Sequence, residues 1–112
     1  MRRGQIWWAE LPEPQASEPG FRRPVLIVQA DAFNVSRIDT VVALALTTNL
    51  RLAEAPGNLK LPKNKTGLPK DSVANVSQVI TVDKKFFTEL AGQLDVRTMQ
   101  QVDEGLRLVF DL

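Results

Sequence analysis

Two arginines and two threonines stand at the ends of apolar runs. Arg22 and Arg23 come immediately before Pro24 and the run VLIVQ at 25–29, and Thr47 and Thr48 close the run that starts at Asp39. An arginine where a loop meets a rigid strand can be held steady and still stay open to an anion, and a hydroxyl at a strand end can donate to one. The rest of the composition narrows the chemistry. The chain has no histidine and no cysteine, which removes thiol nucleophiles, disulfides, zinc centres and histidine acid–base mechanisms. Glu10, Glu13 and Glu18 are scattered without the spacing of an acid–base pair, and no serine has a histidine to activate it. What remains is arginine as a phosphate clamp and threonine as a hydrogen-bond donor. That set suits phosphoryl chemistry best; an RNA 2′-hydroxyl, for one, can supply the nucleophile itself, so that the protein need only position, stabilise and shuttle protons. No metal and no cofactor is called for.

Charge is local rather than global. The formal net charge is +1 over 112 residues, so any surface for a polyanion must be a patch. Residues 57–70 carry Lys60, Lys63, Lys65 and Lys70 with no acid, whereas the C-terminal segment sets Asp103, Glu104 and Asp111 against Arg97 and Arg107. The lysine segment reads either as a contact for a phosphate backbone or as a solvated loop.

The elements that position these groups follow from periodicity. GQIWWAEL at 4–11 is a strand whose neighbouring Trp7 and Trp8 must point to opposite faces, one to the core and the other to an interface or under a loop. Residues 12–23 are rich in loop formers, Pro24 can open the next strand, and 25–29 is apolar enough to be covered on both faces. Strands are also expected over 39–49, 59–61 and 71–82, where Gln78 interrupts the alternation and needs a polar partner. Asp83 is expected to cap a short helix through KKFFTELA with Phe86 and Leu90 one turn apart. Asp95 is expected to cap a last helix with the stripe Val96, Met99, Val102, Leu106, Val109 and Phe110, Met99 being core filler. A mainly β chain results: a strongly bent antiparallel sheet or barrel closed by a C-terminal helix, one domain over 1–112. With no apolar leader and no stretch of membrane-spanning length, a soluble cytoplasmic protein is expected.

Three segments in this order, SEPGFRRPVLIVQADAFN, ALTTN and LPKDSVANVSQVITVDKK, resemble the MazF/PemK (Kid-type) toxins of type II toxin–antitoxin systems, and the likeness runs over nearly the whole chain. The resemblance implies an SH3-like barrel of the CcdB/MazF type, a homodimer, and a sequence-specific, metal-independent endoribonuclease. Such an enzyme cuts single-stranded RNA, commonly messenger RNA with transfer or ribosomal RNA as alternatives, and halts translation until a MazE-like antitoxin binds it. By similarity, 2′-hydroxyl attack would leave a 2′,3′-cyclic phosphate and a 5′-hydroxyl. Arg23 would stabilise the pentacovalent phosphate and serve in proton transfer, and Thr47 would bond the scissile phosphate. Glu18 matches a loop acid implicated in activity in some members, and Gln78 a glutamine near the RNA groove. Arg22 is then a phosphate contact or a solvated neighbour, and Thr48, Lys60, Lys63 and Lys65 are candidate RNA contacts.

Two other functions fit a barrel of this kind. A CcdB-type gyrase poison acts through its C-terminal residues, but this chain ends LVFDL and lacks the tryptophan-glycine-isoleucine ending of that group. A non-catalytic SH3-like module that binds peptide or RNA accommodates the tryptophans and lysines and leaves Arg23 with Thr47 unexplained.

Overall fold

The computed structural model describes residues 1–12 and 21–112. Six strands, β1 (Gln5–Leu11), β2 (Phe21–Ile27), β3 (Thr40–Thr47), β4 (Leu59–Leu61), β5 (Ser72–Asp83) and β6 (Phe87–Gln93), form one antiparallel sheet in the order β4-β5-β3-β2-β1-β6. Among the described residues, three α-helices interrupt or close it: α1 (Asp31–Asn34), α2 (Lys63–Thr66) and α3 (Val96–Phe110). The sheet curls into a half-barrel. Its larger core lies on the face that carries Ile6, Leu26, Leu44, Leu46 and Leu61, sealed by Met99 and Val102 of α3. A smaller cluster of Ala9, Val25 and Ala43 lies on the other face under Trp7, Ile80 and Phe87.

The apolar run at the start of β2 explains its central place. Val25, Leu26 and Ile27 are all fully buried, as a strand covered on both faces must be, each such side chain contributing about 1.5–3 kcal/mol relative to exposure. The two tryptophans divide as alternation requires: Trp8 packs against the larger core and Trp7 against the smaller, edge-on to Phe87 with centroids 6.2 Å apart. Met99 is core filler, 8% exposed.

Three expectations are corrected. KKFFTELA is not a helix. Asp83 does cap, accepting from the Lys85 N–H, but over a single 3-10 turn at Lys84–Phe86, after which the chain enters β6. Pairing decides it, because β6 satisfies the free edge of β1 from Gln5 to Ala9, a row of backbone groups that a Phe86/Leu90 contact cannot satisfy. Phe86 and Leu90 both remain exposed. Pro24 does not open β2 but sits three residues inside it, opposite Trp8. The missing N–H is tolerated there because pairing of β2 with β3 begins only at Val25. Finally, α3 buries Thr98, Met99, Val102 and Gly105, while Val96, Val109 and Phe110 stay exposed. The helix approaches the sheet at Gly105, whose missing Cβ would collide with the Gly57 carbonyl. That close approach rotates the buried face away from the longer apolar side chains.

Candidate active site

The β2–β3 ladder holds three pairs, Val25 with Ala45, Leu26 with Leu44 and Ile27 with Ala43. Arg23 and Thr47 each lie two residues beyond the last of these pairs, Val25 with Ala45. The ladder stops before reaching them. Beyond its end lies a cleft of about 350 Å³ lined by Trp8, Arg22, Arg23, Pro24, Leu46, Thr47, Thr48, Leu68, Pro69, Lys70 and Ser72. Phe21, at the entry to β2, holds φ at 57°, a left-handed conformation that is costly for an aromatic residue and turns the chain into the strand.

Adjacent arginines meet different surroundings. Arg22 is exposed yet well partnered: its guanidinium donates to Thr88 Oγ1 and Glu89 Oε2, both at 3.1 Å, lies 3.7 Å from Glu10 Oε1, and stacks 4.6 Å from the Trp8 ring centroid. Thr88 in turn donates to the Trp8 carbonyl. Arg22 therefore ties β1, β2 and β6 together. Arg23 is half-buried at the cleft, and among the described residues no hydrogen bond or ion pair engages its guanidinium. Thr47 Oγ1 accepts from the Asn49 N–H at 3.1 Å, which leaves its own proton to donate. No carboxylate among the described residues lines this cleft, so Arg23 and Lys70 give it a positive field.

The lysine segment is a folded wall rather than a loose loop. Thr66 is fully buried, donates to the Lys63 carbonyl and accepts from the Leu68 N–H. The Lys63 N–H donates to Asp71 Oδ1 at 2.8 Å. Gly67 turns the chain at φ 77° and lies flat on the Ala91–Gly92 backbone of β6, where neither glycine has room for a Cβ. Lys65 pairs with Asp95 at 3.3 Å. The Asp95 carboxyl, which caps α3 by accepting from the Thr98 N–H, is lowered to about 2 mainly by that backbone hydrogen bond, with Lys65 adding to it.

The candidate residues thus separate. Arg23, Thr47, Thr48 and Arg22 line one cleft. Gln78 shares a face with Ile80, which pairs with Ala43, and lines a different cleft of about 440 Å³ with Leu11, Pro12, Ile80, Val82 and Phe86. Lys63 lines an adjoining pocket. Lys60 pairs with Val73, itself paired with Thr47, so it stands two strands from Thr47 and does not line the cleft. Lys65 is held by Asp95. Glu18 lies outside the described residues. Trp8, Ser72 and Lys70 complete the cleft without having been singled out as site residues. Lys70 carried a signal, being one of four lysines in an acid-free segment, but only the turn before β5 shows which of the four reaches the cleft.

The fold is shared with solved toxins. MazF from Deinococcus radiodurans superposes with a TM-score of 0.81 at 18% identity, over 100% of this chain and 97% of that one. An endoribonuclease in complex with its cognate antitoxin from a mycobacterial species superposes at 0.77 with 24% identity, over 100% and 94%. In sequence, the chain is 46% identical over 110 residues to endoribonuclease MazF2 of Mycobacterium bovis and to endoribonuclease MazF6 of Mycobacterium tuberculosis, covering 98% of this chain and 96% of each relative. Residues 2–110 match the family described as PemK-like, MazF-like toxin of type II toxin-antitoxin system. With that match spanning both sides of the β2–β3 cleft, the chain belongs to the PemK-like, MazF-like toxins of type II toxin–antitoxin systems.

Proposed function

We propose that this toxin is a metal-independent endoribonuclease of single-stranded RNA, with Arg23 and Thr47 as its reaction centre and the whole of 1–112 acting as one unit. The observation that carries the reading is that a cation, Arg23, and a hydroxyl, Thr47, line one cleft just beyond the last β2–β3 pair. In the reaction, the 2′-oxygen of the substrate bonds to the adjacent phosphorus as the P–O5′ bond breaks. The 2′-hydroxyl proton is lost and one proton is delivered to the departing 5′-oxygen, giving a 2′,3′-cyclic phosphate and a 5′-hydroxyl. No activated water is needed. Arg23 compensates the charge that gathers on the non-bridging oxygens and takes part in the proton transfer, while the Thr47 hydroxyl donates to the scissile phosphate. Glu18 is a second acid–base candidate.

The remaining candidates fill supporting roles. Thr48 adds a hydroxyl beside Thr47, and Gln78 offers an amide to a base edge on the same sheet face. Lys60 and Lys63 add positive potential along the strand's path. Arg22 and Lys65 are already paired with Glu89 and Asp95 and contribute mainly to the frame. The toxin acts as a homodimer in the cytoplasm, where its substrate lies, and an acidic antitoxin segment neutralises it by occupying the cationic cleft. Relatives named endoribonucleases at 46% identity support this reading. Product-end analysis tests it: fragments made in EDTA should carry 5′-hydroxyls and 2′,3′-cyclic phosphates, and 5′-phosphate ends would contradict the mechanism.

A further inference from the structure

Thr48, Pro69 and Lys70 line two concavities at once. One is the Arg23–Thr47 cleft, and the other is a neighbouring pocket of about 320 Å³ completed by Leu50, Lys63 and Asp71. The two therefore share a rim, and Lys70 stands on it. The second pocket is built from unlike parts. Lys63 and Lys70 are cations, Leu50 and Pro69 expose apolar surface, and Asp71 contributes a carboxylate whose Oδ1 already receives the Lys63 N–H. The segment between Lys63 and Lys70 is anchored beneath it by buried Thr66 and Leu68 and by the contact of Gly67 with β6.

We propose that this pocket takes the next nucleotide of the RNA strand whose scissile phosphate lies at Arg23 and Thr47, with Lys70 on the phosphate linking the two. The proposal rests on the endoribonuclease reading. A polyanionic strand is the ligand that needs a cation on the rim between two adjoining sites, since its charge repeats with every nucleotide. Leu50 and Pro69 offer a flat apolar wall to a ribose or a base face. Asp71 repels phosphate and favours a donor, so the base that enters should present an amino or ring N–H group to it. Lys70 is thereby a binding and positioning residue for the flanking nucleotide, distinct from the pair at the reacting phosphorus.

A cycle of variants against trimmed substrates tests this. The cleavage site is first mapped on a long RNA, and oligonucleotides centred on it are then shortened one nucleotide at a time from each end. On the longest substrate, Lys70→Met should lower kcat/KM about tenfold and reduce the salt dependence of log(kcat/KM) by about 0.7, the contribution of one phosphate contact on a single strand. Lys70→Arg should restore most of the loss. At one trimming step the wild type should fall to the level of Lys70→Met, and the two should cleave the shortened substrate equally. Lys70 is exposed, so the variant should melt with the wild type. Equal cleavage of the longest substrate by wild type and Lys70→Met would overturn the subsite, as would a loss of the same factor on every substrate down to the shortest. Wild type that cleaves no RNA would instead overturn the reading on which the subsite rests.

Discussion

Arg22 and Arg23 line the same cleft but meet different partners. Arg22 meets Glu89, Glu10 and the Trp8 ring, and Arg23 meets the opening where Thr47 stands. Because its side chain is 43% exposed, Arg22 is worth about 1 kcal/mol or less to stability through its ion pairs and stacking. Arg22→Ala should therefore lower Tm slightly and leave most RNA cleavage intact. Loss of cleavage in a folded Arg22→Ala protein would show that the wrong arginine has been placed at the phosphate. The sequence distinguished these two only through family resemblance, since a dipeptide of identical side chains gives no residue-level sign of which one has a partner. Thr47 was legible as a hydroxyl at a strand end, but not that Asn49 takes up its acceptor side, because that bond depends on the turn after β3. Gln78 was legible as a polar break in an apolar strand, although its cleft is not the one that holds Arg23.

Elements show where local pattern and sheet pairing disagree. Five of the six strands follow alternation or apolar runs and were readable as strands, although β2 begins at Phe21, three residues before its expected start; β6 was not readable, because KKFFTELA has helical spacing and its strand form is selected by the edge of β1. Pairing at that edge also depends on glycine. A Cβ at Gly92 would collide with the Thr66 carbonyl, so Gly92→Ala should cost about 3 kcal/mol or more and should loosen the lysine wall together with β6. A Tm within 2 °C of wild type, about the shift a fraction of a kcal/mol produces, would contradict that packing. The Asp95 cap makes a different prediction, in acid. Its folded pKa is depressed from 3.8 to about 2, so its contribution is fully present above 3.8 and is lost as pH falls through 2. Asp31, lowered by the Arg3 N–H and by Asn34, acts in the same sense. Wild-type stability should decline between those values, and Asp95→Ala should lower stability at neutral pH and flatten that decline. A variant whose acid limb parallels the wild type would rule out the cap as its source.

The whole molecule is a half-barrel that keeps apolar surface in the open. Leu108, Val109 and Phe110 at the end of α3 and Leu112 just beyond it are 44–88% exposed. Homodimerisation would cover such surface, and sedimentation at micromolar concentration should give a species of twice the chain's 12.5 kDa; a monomer at that concentration would contradict the proposed assembly. The bent sheet and closing helix were legible because strand lengths and the α3 stripe are strongly patterned. The exposure at the C-terminal end was not, because it follows from where Gly105 meets Gly57. At this scale the role we propose for the sheet is to bring Arg23 and Thr47 from two strands to one opening, and one measurement tests that most directly. Single-turnover cleavage of a mapped single-stranded RNA in EDTA should fall by about 10²–10³ in both Arg23→Ala and Thr47→Ala, with each variant's melting curve unchanged. Wild-type rates in either folded variant would contradict the assignment of the reaction to that pair.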